Sequence, residues 1–161
     1  IKRVRNFFAN NNEKDILFDL KFIKEKEKLK KFSLKKKFFN DLWNTTIPTS
    51  SISLKRKFFN ECVKANLFKN FNFLEIDFRI NVFAQNIKKN FAILDEPLNI
   101  YRNVENGIMS QNKKYSLNWW KKRLQAHEFM KNIYSENNKD YKNLDFSITK
   151  ILVNFFKIFK S

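Results

Sequence analysis

The chain has 161 residues, 43% of them hydrophobic and 17% aromatic, with 20 Phe. That is enough for one domain with a sizeable core, and far too apolar for a disordered basic tail. The formal net charge of +17 suits an anionic partner, but Lys, Asn, Ile and Phe share A/T-rich codons, so gene composition is a competing cause.

The first segment, IKRVRNFF, is basic and amphipathic and reads as the end of a helix over 1–9. Opening on Ile1, it suggests the tail part of a longer protein. In residues 15–23, Ile16, Phe18, Leu20 and Phe22 alternate as in a strand, with Asp19 and Lys21 on the other side and Leu17 as an exception. Residues 24–43 are Lys-rich, anchored by Phe32, Phe38, Phe39 and Leu42, and read as a solvated helix or loop face. Pro48 and the Thr and Ser around it predict an extended piece over 44–53. Ser53 is placed to cap the helix that follows, whose apolar face holds Phe58, Phe59, Cys62, Val63 and Leu67.

After a loop at 70–73, the stretch from Leu74 to Asn90 predicts a second helix, with Ile76, Ile80, Phe83 and Ile87 on one side. Glu75 and Asp77 then fall in its first turn, where the helix dipole favours negative charge. Residues 91–102 read as two short extended pieces broken at Asp95-Glu96-Pro97, and 103–116 as a loop. A helix runs from Asn118 to Tyr134. A last helix over 142–160 carries the stripe Leu144, Ile148, Ile151, Leu152, Phe155 and Phe159.

Four pieces occur in an order that carries more than any one of them: IPTSSISLKRKFF, FLEIDFRI, ILDEPLNIYRNVENGIMS and NWWKKRLQAHEF. Together, over roughly residues 44–130, they resemble the C-terminal half of a family 2, GT-A-type glycosyltransferase. The resemblance implies an α/β fold, an incomplete GT-A-like (Rossmann-related) unit with C-terminal helices. It divides the chain into 1–116, half of a catalytic domain, and 117–161, a helical extension. It implies a fragment of an inverting enzyme that contributes acceptor-side residues. Its partners would be a nucleotide-sugar donor, a glycan or lipid-linked acceptor, and a missing N-terminal half. The family's adjacent Glu-Asp is replaced here by Glu75-Ile76-Asp77. No Asp-x-Asp and no Gly-rich phosphate turn occurs. No cofactor is therefore expected in this chain; Mg²⁺ or Mn²⁺ belongs only to a full-length enzyme, and the chain alone should be inactive.

An inverting transfer needs a base to take the acceptor hydroxyl proton, and a carboxylate suffices. Glu75 or Asp77 would fill that role; the competing reading is acids that complement the helix dipole. Residues two apart on a helix point about 200° from each other, so the two should differ in role. The position of Glu75 just before Asp77 favours Glu75 for the cleft, leaving Asp77 to cap or to pair with Arg79, Arg102 or Lys55. Tyr101 and Arg102 end a strand where ligands sit in α/β proteins. The resemblance puts them near acceptor or donor phosphates; otherwise Tyr101 packs and Arg102 pairs with Glu96 or Glu105. Thr49, Ser50 and Ser51 can line an acceptor pocket or serve as ordinary backbone caps. Trp119 and Trp120 offer flat faces for a sugar, but neighbours on a helix point about 100° apart, so at most one, Trp120, faces a ligand, and core packing is the reading for the other. His127, the one histidine, falls on the same helical face as Arg123, as a site residue or a packed one.

The alternative function is a basic nucleic-acid-binding or membrane-surface module without enzymatic activity. Only six of the 33 basic residues are Arg, which argues against a reader of bases. The last helix, with Lys150, Lys157 and Lys160, can rest on an anionic membrane or pack on the domain. Cys62 is alone, which excludes a disulfide framework and fits a reducing compartment. The expected location is the cytoplasm, peripheral at the inner face of a membrane.

Overall fold

Leu17 explains the architecture of the first half of the chain. A strand with one solvated face would not bury it, yet Ile16, Leu17, Phe18 and Leu20 are all buried in β1 (Ile16–Glu25). The computed structural model describes residues 2–25, 28–31, 46–102 and 113–158. Among them β1 is the strand to which three others pair. β4 (Phe91–Arg102) runs parallel along its length, while β2 (Lys28–Lys31) and β3 (Ile52–Leu54) pair antiparallel at its two ends. A strand has two edges, so β2 and β3 share the one opposite β4. They leave a gap between Phe18, the last β1 residue paired with β3, and Phe22, the first paired with β2.

The described residues thus form a mixed four-stranded sheet with five α-helices. They divide into two compact units, Ile1–Lys69 with Ile76–Asn103, and Asn70–Glu75 with Val104–Ser161. The first holds α1 (Lys2–Asn10), the sheet, α2 (Arg56–Lys64) and α3 (Ile76–Val82), which runs on as a π-helix over Phe83–Lys88. The parallel pairing of β1 and β4 demands a crossover, and β3, α2, α3 and the π-helix supply it. Its core joins Phe18 to Phe91 and Phe58 to Phe83, each pair with ring centroids 5.9 Å apart. The second unit holds α4 (Leu117–Glu136) and α5 (Leu144–Ile158), which pack on each other, with Ala126, Phe129, Met130, Ile133 and Val153 buried.

Several local expectations change. Ser53 pairs with Leu17 in β3, so it cannot cap; Lys55 takes the N-cap position of α2 without a side-chain hydrogen bond. Residues 91–102 form one strand. The expected break is absorbed as a bulge, where the register slips past Asp95 and Glu96 and Pro97, lacking an N–H, meets Leu20. In the Lys-rich stretch, 28–31 is a strand; its anchors Phe32, Phe38, Phe39 and Leu42 lie outside the described residues. Ile76 is exposed, whereas Ile80 and Phe83 are buried. The stripe of α5 is also largely exposed. Thr149 and Val153 are the buried positions of that helix instead. Left-handed backbone falls on Asn66, Asn70, Phe71, Lys89, Tyr115 and Asn138.

Candidate functional site

The site begins with a buried amide. Asn81, on the second turn of α3, grips the backbone of Ile47 at both ends. Its Nδ2 donates to the Ile47 carbonyl at 2.7 Å, and its Oδ1 accepts from the Ile47 N–H at 3.0 Å. This fixes the extended chain at 46–48 alongside α3. Pro48 then breaks the extension. Its carbonyl accepts from the Ser51 N–H at 2.8 Å and closes a 3₁₀ turn over Thr49–Ser51. The turn lies at the first turn of α3, where Asp77 Oδ2 accepts from the Thr49 N–H at 3.3 Å and Oδ1 from the Phe78 N–H at 2.7 Å. Asp77 is half-buried; Thr49 and Ser50 are exposed.

Beneath the turn is a second carboxylate. Asp19 lies in the gap between β3 and β2 and is only 5% exposed. Asn99 of β4 donates from Nδ2 to Asp19 Oδ1 at 2.7 Å, to Ser51 Oγ at 2.8 Å and to the Ser50 carbonyl at 3.3 Å. The bulge in β4 sets the register at which Asn99 stands opposite Lys21. Burial pushes the Asp19 carboxyl above its ordinary value. Hydrogen bonds from the Leu98 N–H, the Ser51 hydroxyl and its own N–H offset part of that rise. Ser51, fully buried, thus holds the turn down while Thr49 and Ser50 face outward.

The second unit uses charge differently. Residues 70–75 lie along α4: the Phe73 N–H donates to Gln125 Oε1 at 2.9 Å, Phe71 meets Phe129 edge-on, and Glu75 pairs with Lys122. Glu75 and Asp77, two residues apart, therefore serve different units. Ser116 caps α4 by accepting from the Trp119 N–H at 3.3 Å. Trp120, half-buried in the first turn, stands perpendicular to Trp119 with centroids 4.6 Å apart. His127 is fully buried. Its Nε2 lies 2.7 Å from Asp145 Oδ2 and its Nδ1 2.6 Å from the Tyr141 hydroxyl. A carboxylate only accepts, so Nε2 carries the proton and Nδ1 accepts from Tyr141. Arg123 binds the same Asp145 oxygen at 2.6 Å. Burial lowers the His127 pKa, and Asp145 offsets part of the shift. Burial likewise pushes the Tyr141 hydroxyl well above its ordinary value.

No family model, curated protein or solved structure matches this chain.

The geometry itself therefore sorts the candidate residues. It brings Thr49, Ser50 and Ser51 together with Asp77. It places Glu75, Trp120 and His127 in the other unit, Glu75 in an ion pair and His127 in the interior. Asp77, expected to cap or to pair with a basic side chain, accepts from the Phe78 N–H in the first turn of α3 and also from the backbone of Thr49. Arg79 donates to the carbonyls of Leu67 and Lys69 at 2.8 and 3.3 Å. Tyr101 and Arg102 close β4 opposite Ile23 and Lys24; their side chains lie outside the described part of the structure. Sequence reasoning missed Asp19, Asn81 and Asn99. The one signal for Asp19 was a carboxylate inside the apolar run ILFDLKFI. Among the described residues no three His, Cys, Asp or Glu side chains gather as a metal would require.

Proposed function

We propose that this chain is the acceptor-side part of an inverting, family 2, GT-A-type glycosyltransferase that takes sugar from a nucleotide-sugar donor. The reading rests on the four motif pieces in their order and on one observation: the Asp77 carboxylate reaches the outward-facing Thr49–Ser51 turn. The hydroxyls of Thr49 and Ser50 offer hydrogen bonds to a glycan or lipid-linked acceptor, and Asp77 is the carboxylate beside them. In this reading Asp77, rather than Glu75, accepts the proton of the attacking acceptor hydroxyl. The hydroxyl oxygen bonds to the anomeric carbon as the bond to the nucleotide diphosphate breaks, with inversion. Asp19 and Ser51 keep the turn in place from below. Donor and metal binding fall to residues beyond those described, supplied by a longer product of the gene or by a second polypeptide.

The test uses amide resonances of the purified chain. Oligosaccharides should shift the amides of Thr49, Ser50, Asp77 and Phe78, while nucleotide sugars with Mn²⁺ should leave them in place. If no oligosaccharide moves these amides, or polyuridylate moves them instead, the reading is wrong. In the product of the gene's full reading frame, Asp77→Asn should lower kcat by roughly a hundredfold or more with donor KM nearly unchanged. Glu75→Gln should leave kcat within a few-fold; reversed effects would return the base role to Glu75.

A further inference from the structure

The outer face of α5 is the largest feature that the sugar-transfer reading leaves without a use. Leu144, Ile148, Ile151 and Phe155 recur at spacings of four, three and four, and so stand in one row about 17 Å long. They are 85%, 54%, 68% and 54% exposed. The opposite face of the same helix is spent on packing: Thr149 and Val153 are buried, and Phe146 stacks on His127 at 5.4 Å. A helix that already packs on one side has no internal reason for a second apolar row. Such a row in water marks an interaction surface.

Charge identifies the occupant. Asp145 is the one acid in α5, and its carboxylate is held by Arg123 and His127. From Phe146 to Ser161 the sequence has three Lys and no acid. In the rest of the described second unit, Lys113, Lys114, Lys131, Lys139 and Lys142 are exposed, against Glu128, Glu136 and Asp140. A second copy of the chain would bring the same positive surface against this one, and like charges across an interface oppose association. Four partly exposed side chains also offer a few hundred Å², short of the ~800 Å² per partner of a stable interface. A sheet of anionic headgroups over hydrocarbon meets both demands: the row enters the acyl boundary, and the excess of positive charge on the unit draws it to the surface. No described helix is long and apolar enough to cross a membrane, so the contact is one of lying on the surface.

We infer that α5 docks the protein on an anionic lipid bilayer, with Leu144, Ile148, Ile151 and Phe155 inserted at the headgroup boundary. The inference is independent of the sugar-transfer reading. The experiment is flotation of the purified chain with vesicles of phosphatidylcholine mixed with phosphatidylglycerol, and with vesicles of phosphatidylcholine alone. The chain should float with the first and not the second, and added salt should weaken the binding. Ile151→Ser with Phe155→Ser should lower partitioning roughly tenfold or more, since each loses several buried CH₂ equivalents. Both side chains are exposed, so far-ultraviolet circular dichroism and the fluorescence of Trp119 and Trp120 should not change. Lys150→Glu, on the side of α5 away from the row, should weaken binding only slightly, through the change in net charge. Three results would overturn the inference: no flotation with either vesicle, unchanged flotation of the double variant, or a dimer in sedimentation that the double variant abolishes. The second would leave only diffuse attraction of a basic protein. The third would assign the row to self-association.

Discussion

Two carboxylates, one in each unit, are held by different means: Asp19 is buried, whereas the Asp145 side chain is 36% exposed. In the first, Asp19 is surrounded by neutral donors: an amide, a hydroxyl and backbone N–H groups. In the second, Asp145 receives a guanidinium and an imidazole. A cation compensates the lost hydration of a carboxylate by direct attraction; neutral dipoles compensate less, and the pKa of Asp19 rises accordingly. The contrast teaches that the state of a carboxylate here follows from the donors and the water that the fold leaves around it, and it predicts different responses to neutralising each centre.

The strongest way to break the contrast is to remove the imidazole. His127→Ala should cost about 3 kcal/mol, because it opens a cavity and strips two close hydrogen bonds from Tyr141 and Asp145. The measurement is urea unfolding followed by the fluorescence of Trp119 and Trp120, in a Trp43→Phe background. Next, Asp145→Asn should cost about 1–2 kcal/mol through its charge-assisted bonds to Arg123, whereas Asp19→Asn should stay within about 1 kcal/mol, since the lost hydrogen bonds are offset by relief of a buried charge. Equal losses at the two sites would erase the distinction.

The pH dependence of the two units should have opposite slopes. Asp19 has a raised pKa in the folded state. Between its unfolded value near 3.8 and that raised value, the folded protein binds more protons, so stability falls as pH rises through the window. His127 has a lowered pKa. Between that value and 6.5 the unfolded chain binds more protons, so stability falls as pH drops below 6.5. Trp fluorescence should report the second slope. The first can be read through Cys62, which is fully buried with its thiol pushed up to about 12 by burial. Alkylation of Cys62 should therefore follow unfolding of the first unit, and labelling as fast as a free thiol in the native protein would contradict the structure. A smaller effect is expected at the ion pair: Glu75→Gln should cost about 1 kcal/mol, leaving Lys122 in a largely buried place.

Much of this was legible one element at a time. The alternation in 16–22 gives β1, and the periodic apolar residues give α4 and α5, because each signal is local. Leu17 was an exception because both faces of β1 are covered in the fold, which alternation along the strand does not reveal. Asp19 was illegible as a buried acid for the same reason; its donors, Ser51 and Asn99, lie 32 and 80 residues away (51 − 19 and 99 − 19). In α5 the sequence offers two faces with helical spacing, and the more apolar one is the natural choice for a core. Packing on His127 selects the other. Spacing alone separates Glu75 from Asp77 by angle, but which acid meets the 49–51 turn depends on Lys122 capturing Glu75 and on Asn81 fixing Ile47.

The left-handed residues of the backbone hold a reserve of stability. This chain has a single glycine, so its tight reversals are made by residues with a Cβ. Asn tolerates that conformation; longer side chains tolerate it less well. Phe71 and Tyr115 hold their places through ring contacts with Phe129 and with the two tryptophans. Lys89, exposed at the end of the π-helix with φ of 55°, closes the turn by donating its N–H to the Ala84 carbonyl, a bond that any residue but proline can make. Glycine is the residue that helix ends of this geometry favour. Lys89→Gly should raise the melting temperature by a few degrees, while the same change at an ordinary helix position lowers it. An engineer seeking a sturdier form of the protein would begin there, at the other end of the α3 and π-helix run from Asp77.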